Sequence, residues 1–144
     1  MSRTLAREIA FKALFQLDFN HGTDDTRDLY EELALDTVLG EGRKISLENQ
    51  SYVRVVVKGT RDNLDAIDQI ISDHLKKGWT IDRLASVDRN ILRLAVFELK
   101  FDSVEKPVPV VINEAVELSK KYGTDASSRF VNGILDTIAK VPDA

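Results

Sequence analysis

Apolar residues recur at intervals of three and four along almost the whole chain. Ala6, Ile9, Ala10, Ala13, Leu14 and Leu17 share one face of a first helix. Ser2-Arg3-Thr4 can cap it, and it runs to about Asn20, where His21-Gly22 ends it. A second helix fits Asp25 to Leu39, closed by Gly40-Glu41-Gly42. A third begins after Ser46 and keeps helical spacing through Tyr52, Val53, Val56 and Val57, then Leu64, Ile67, Ile70 and Ile71, as far as Lys77. The glycine in Lys58-Gly59-Thr60 predicts a kink within it. The run Val53 to Val57 is the one candidate strand, and it has no partner to pair with.

Gly78 reads as the break between an N-terminal half, 1–78, and a C-terminal half, 79–144, of a single domain. Beyond it the pattern predicts a short helix capped by Thr80 and a longer one from Val87 to Phe101 with Ser86 as N-cap. Two more follow, from Pro109 to Tyr122 and from about Ala126 to Lys140. Pro107 and Pro109 disfavour helical backbone at Lys106 and Val108, so an extended connection precedes the penultimate helix. The fold class is all-α, about seven helices in two packed helical subdomains.

The last helix contains Asn132-Gly133, a dipeptide that usually marks a hairpin turn. Phe130, Ile134 and Ile138, with Val131 and Leu135 beside them, nevertheless keep the helical period. A glycine inside a helix costs about 1 kcal/mol against alanine, so this one calls for a reason.

Composition narrows the function. The 144 residues are 43% hydrophobic, enough for one core without metal or disulfide, and there are no cysteines and two histidines. No membrane-length apolar run or signal peptide is evident, which predicts a soluble, cytoplasmic protein. The net charge of −4 excludes a protein that coats nucleic acid by bulk electrostatics. The charge is uneven, though: Arg3, Arg7 and Lys12 form a basic start, and residues 24 to 41 are strongly acidic.

Catalytic motifs are missing: there is no GxSxG elbow, no phosphate-binding GxxxxGK[ST] loop and no HExxH. Asp18-x-x-His21 is one pair where a carboxylate-bridged metal centre needs several, and His74 near a helix end reads as a surface or half-buried histidine. No cofactor or metal is expected. The pattern favours a binding protein over an enzyme.

Two stretches suggest what is bound. On the first helix Arg3, Arg7, Phe11, Phe15 and Phe19 recur every four residues and wind away from the core face. They form either a second buried side or an exposed platform on which arginines hold phosphates and rings stack on bases or fill a partner's pocket. Residues 123 to 130, Gly-Thr-Asp-Ala-Ser-Ser-Arg-Phe, form a polar entry to the last helix, where free N–H groups either are capped locally or hold a phosphate.

Together, "AREIAFKALFQ" (6–16), "VDRNILRLAVFEL" (87–99) and "VPVVINEAVELSKKYGTDASSRFVNGILD" (108–136) resemble the NusB family of transcription antitermination factors. The resemblance covers nearly the whole chain and implies an all-α, non-enzymatic RNA-binding protein. It implies that the partners are the ribosomal small-subunit protein NusE, single-stranded boxA RNA of nascent ribosomal transcripts, and the RNA polymerase antitermination complex. By position, it implies RNA contacts at the basic start, Arg3, Arg7 and Lys12, and at Arg129 and Phe130, and it implies that Phe15 and Asp88 face the ribosomal partner. Glu98, Asn113 and Glu114 match as structural residues. The matching position of Asn-Gly inside a helix suggests that Gly133 permits close helix approach while Asn132 bonds to backbone. The N-terminal arginines are sparser than in many members, and Ala126 stands where many carry an acid. Both monomers and homodimers are compatible with the resemblance. Two other readings are the RNA-binding appendage of a ribosomal RNA methyltransferase, disfavoured because no Gly-rich cofactor domain is present, and a helical adaptor without an RNA role.

Overall fold

A computed structural model describes residues 3–40 and 45–142. Among these, seven α-helices account for nearly all regular structure: α1 (Arg3–Phe19), α2 (Arg27–Leu39), α3 (Leu47–Asp62), α4 (Leu64–Asp73), α5 (Ser86–Val96), α6 (Val108–Tyr122) and α7 (Asp125–Lys140). A 3-10 turn at Ile81–Arg83 precedes α5, and a π-helical turn at Phe97–Phe101 prolongs it. The Val53 to Val57 run lies within α3. Ser2 and the Glu41-Gly42 part of the expected stop after α2 lie outside the described residues.

Helix α1 is the central post. Its alanines bring α2, α3 and α5 close, and Ala6, Ala10 and Ala13 have no exposed surface. The buried side chains of both halves join in one continuous core, in which Ile67, Ile71, Leu92, Leu135 and Ile138 are fully enclosed. Each such side chain contributes about 1.5–3 kcal/mol by leaving water.

The break after α3 falls at Asn63 rather than at Gly59. Asn63 donates its side-chain amide to the Gly59 carbonyl at 2.8 Å and ends the helix. Gly59 stays helical, and a Cβ there would sit 2.3 Å from the Phe97 ring, so the glycine permits the π-helical turn to press against α3. At the start of α5, Ser86 is the first helical residue and Ala85 precedes it without a side-chain cap. The last helix begins at Asp125, within one residue of the expected start. Thr124 caps it in a reciprocal box with Ser127, each side chain accepting from the other's backbone N–H at 3.2 Å.

A polar framework fixes α5. Asp18 of α1 accepts from Arg89 at 2.8 Å, Asn90 at 3.0 Å and Arg93 at 3.1 Å, and Arg93 forks onto Asp68 of α4 with two 2.8 Å bonds. Burial would raise the Asp18 pKa, but the Arg89 and Asn90 hydrogen bonds and the two guanidinium charges outweigh it and hold the carboxyl below its usual range. With Arg89 and Arg93 held toward α1 and α4, Asp88 is left to line a groove beside α7.

Candidate nucleic-acid interface

The basic start of α1 divides into residues with different fates. Arg3 is half-exposed: its guanidinium lies 4.1 Å over the Tyr52 ring, and its Nε donates to Asn49 Oδ1 at 3.1 Å. Lys12 is exposed. Arg7 is buried, with a side chain 6% exposed, and donates to both oxygens of Glu98 at 2.9 and 3.1 Å. Glu98 also accepts from the Tyr52 hydroxyl at 2.9 Å and lies 3.1 Å from Lys106 Nζ. Burial would lower the Arg7 pKa, but the Glu98 carboxylate more than offsets it and the value rises. Burial, reinforced by Glu98, pushes the Tyr52 phenol up. Arg7 is therefore removed from the expected RNA contacts, because its charge and hydrogen-bonding capacity are consumed inside the fold. Glu98 and Glu114 are structural, the latter accepting from Thr4 at 2.7 Å, whereas Asn113 is exposed.

The aromatic row of α1 belongs to neither of the two expected classes as a whole. Phe11 is buried against Tyr122, with ring centroids 5.2 Å apart; Phe15 is half-buried; Phe19 is 68% exposed and meets Phe15 edge-on at 5.1 Å. The drift of a four-residue repeat carries successive rings from the core out to solvent. Tyr122 in turn donates its hydroxyl to Glu8, and burial together with that carboxylate pushes its pKa up to about 12.

The second region is a groove of about 820 Å³ between the α4–α5 connection and one face of α7, from Ala126 to Thr137. Gly78, at φ +91°, turns the chain in a left-handed conformation that suits glycine and presents Trp79, 52% exposed. Arg83 lies 5.3 Å over the Trp79 ring and donates to the Gly78 carbonyl at 3.1 Å. Arg129 is exposed and makes no ion pair with a described residue, and Phe130 is half-buried against the core. Asp88 joins this groove, and its Oδ1 is buried with no hydrogen-bond partner among the described residues. Phe15 is not part of the groove, so the two residues expected to face one protein partner are not brought together there.

Gly133 also lines the groove. A Cβ on it would meet nothing within 4 Å, so it does not serve the close helix packing suggested by its family position, and Asn132 beside it is exposed. Sequence reasoning did not single out Trp79 or Arg83. Their signal was present all the same: the lone tryptophan follows Lys76-Lys77-Gly78, a basic and flexible approach to an aromatic ring. Among the described residues no cluster of His, Asp or Glu could hold a metal ion, and no helix is long and apolar enough to cross a membrane.

Residues 4–140 match the model of the NusB family. The chain is 43% identical over 141 residues to the transcription antitermination protein NusB of Natranaerobius thermophilus, covering 96% of this chain and 95% of that protein. It is 44% identical over 138 residues to the corresponding protein of Anaeromyxobacter dehalogenans, covering 95% and 89%. Among solved structures it superposes on NusB of T. maritima with a TM-score of 0.83 at 40% identity, covering 100% of this chain and 94% of that one. It also superposes on a chain from antitermination factors NusB and NusE in complex with dsRNA, with a TM-score of 0.83 at 33% identity and 96% of each chain covered.

Proposed function

The chain belongs to the NusB family, and on that premise we propose that it is a non-enzymatic RNA-binding transcription antitermination factor. With NusE it binds boxA RNA of nascent ribosomal transcripts in the cytoplasm and promotes read-through by the RNA polymerase complex. The observation that carries the reading is the groove, where Arg129 and Arg83 border the aromatic rings of Phe130 and Trp79 on a body that is otherwise acidic. Cations for phosphates beside rings for bases are what single-stranded RNA requires. The relative solved with NusE and RNA supports the same pairing of partners.

RNA contacts are assigned to Arg3, Lys12, Arg129 and Phe130. The protein partner is assigned to the outward end of the α1 aromatic row, Phe15 and Phe19, because exposed rings at a helix end suit a pocket on another protein. So few cations give a small counterion-release contribution, so RNA affinity without the partner is weak and rises sharply with it. Fluorescence anisotropy with a boxA oligoribonucleotide, with and without NusE, tests this. The expected result is a partner-dependent gain that Phe15→Asp removes while the circular dichroism spectrum is unchanged. Equal affinity with and without NusE contradicts the reading.

A further inference from the structure

We infer that Trp79 and Arg83 form a nucleotide site of their own on the α4–α5 connection: a base of the bound RNA stacks on the exposed indole ring, and the adjoining phosphate pairs with the guanidinium. This rests on the RNA-binding reading above and adds to it two residues that the family resemblance does not mark.

Trp79 is a large ring that the fold leaves unused. It is 52% exposed and takes no part in the core, whereas Phe130, on the α7 side of the groove, packs against that core. Burial of so open a ring contributes little to folding.

The chain nevertheless holds the ring in place. Gly78, at φ +91°, makes the left-handed turn before it, and the Trp79 backbone N–H donates to the Lys76 carbonyl at 3.0 Å. Arg83 braces the turn from beyond, with its guanidinium 5.3 Å over the ring and its Nη1 donating to the Gly78 carbonyl at 3.1 Å. Arg89, bound to Asp18 of α1 at 2.8 Å, donates to the carbonyls of Ile81 and Leu84 at 3.1 and 3.0 Å and so ties the connection to the scaffold. An apolar ring fixed in solvent suits a binding surface, because little ordering is left to be done on association.

The charge around the ring identifies the ligand. Lys76, Arg83 and Arg129 line the groove against Asp88 alone, on a chain whose net charge is −4. Arg83 has no carboxylate partner among the described residues, so its position is fixed while its charge remains free. The ligand must bring negative charge and a flat face together. A nucleotide carries both in one residue, whereas a peptide would need an acidic and an aromatic side chain in the right order. Stacking accepts any base, so the site adds affinity rather than sequence preference.

Trp79 is the single tryptophan of the chain, so its emission reports on this position alone. The test titrates the full chain with a boxA oligoribonucleotide, with and without NusE, and the Trp79→Phe protein supplies the blank for emission from NusE. RNA is expected to quench Trp79, and NusE alone is expected to leave it unchanged. By anisotropy with NusE present, Trp79→Ala should lower RNA affinity about tenfold at every salt concentration. Trp79→Phe should lose less, and both variants should keep the melting temperature. Arg83→Ala should lower the slope of log affinity against log salt by about 0.7. The inference is overturned if RNA binds without moving the emission, if Trp79→Ala binds as the unaltered chain does, or if Arg83→Ala leaves the slope unchanged. Quenching by NusE alone also overturns it, and assigns the ring to the protein partner. Each of these outcomes leaves RNA binding through Arg129 and Phe130 standing. Failure of the unaltered chain to bind boxA RNA, with or without NusE, removes the RNA reading as well.

Discussion

The two arginine-aromatic clusters of this protein use the same side chains for opposite ends. At the start of α1, Arg3 and Arg7 gather round Tyr52, but Glu98 stands behind the ring and takes Arg7, Lys106 and the tyrosine hydroxyl together. At the groove, Arg83 and Arg129 accompany Trp79 and Phe130, and neither arginine is paired with a described carboxylate. A guanidinium that has found its carboxylate holds the fold, and one without a carboxylate is available to a phosphate. Residue type and spacing do not distinguish the two cases; the third residue, contributed from elsewhere in the chain, does.

The largest effect that could break this contrast is the loss of Arg7. Arg7→Ala leaves Glu98 buried with Tyr52 and Lys106 as its remaining donors, and breaking a buried pair on one side costs roughly 3–5 kcal/mol. Arg129→Ala, on an exposed site, should change stability by no more than ~0.5 kcal/mol. Thermal or urea unfolding of the two variants measures both values. Comparable stabilities would mean that the α1 cluster does not hold the fold.

Phe130→Ala comes next and sharpens the groove side. Removing a stacking ring lowers RNA affinity by about 1–3 kcal/mol at every salt concentration. Phe130 is only partly buried, so the stability loss should stay below the ~3–5 kcal/mol of a fully enclosed phenylalanine. A melting curve run beside the RNA titration separates a binding defect from unfolding, and a loss at the full core value would place Phe130 with the scaffold.

How much of this was legible beforehand follows the same division. Helical periodicity reports burial along one element, and so α1, α2, α6 and α7 were readable to within a few residues, as was the all-α class. The break at Asn63 was missed because the glycine that predicted it, Gly59, answers to Phe97, almost forty positions away. The burial of Arg7 was missed for the same reason: Glu98 lies 91 residues along the chain. Phe11, Phe15 and Phe19 are identical in type and even in spacing, yet their exposure differs because the row drifts round α1, away from the face that Ala6, Ala13 and Leu17 bury. Trp79 went unread because a single aromatic beyond a glycine has no period, and only the approach of α7 turns it into part of a groove.

Acid should weaken the scaffold through Asp18. Its folded pKa is depressed, so it contributes stability that is present above its unfolded value of about 3.9 and is lost as pH falls through the folded value. The effect should be smaller than that of deleting Arg7, since a protonated carboxyl still accepts from Arg89 and Asn90. Melting temperatures measured from neutral pH downward should fall below about pH 4, and Asp18→Asn should flatten that fall. An unaltered pH profile in Asp18→Asn would show that the α1–α5 network carries no such linkage.

The finest contrast is between two exposed or half-exposed arginines. For single strands, each phosphate contact contributes about 0.7 to the slope of log affinity against log salt. Arg129 has no carboxylate to leave, so Arg129→Ala should lower the slope by nearly that full amount. Arg3 is held by the Tyr52 face and Asn49 and lies 3.7 Å from Glu48, so part of its charge is already compensated before RNA arrives. Arg3→Ala should therefore lower the slope by less than Arg129→Ala does. Anisotropy titrations of the NusE-bound protein across a salt series give both slopes. Equal slopes for the two variants would mean that Arg3 leaves its partners on binding, and the fold-holding cluster and the RNA-facing one would then overlap at that residue.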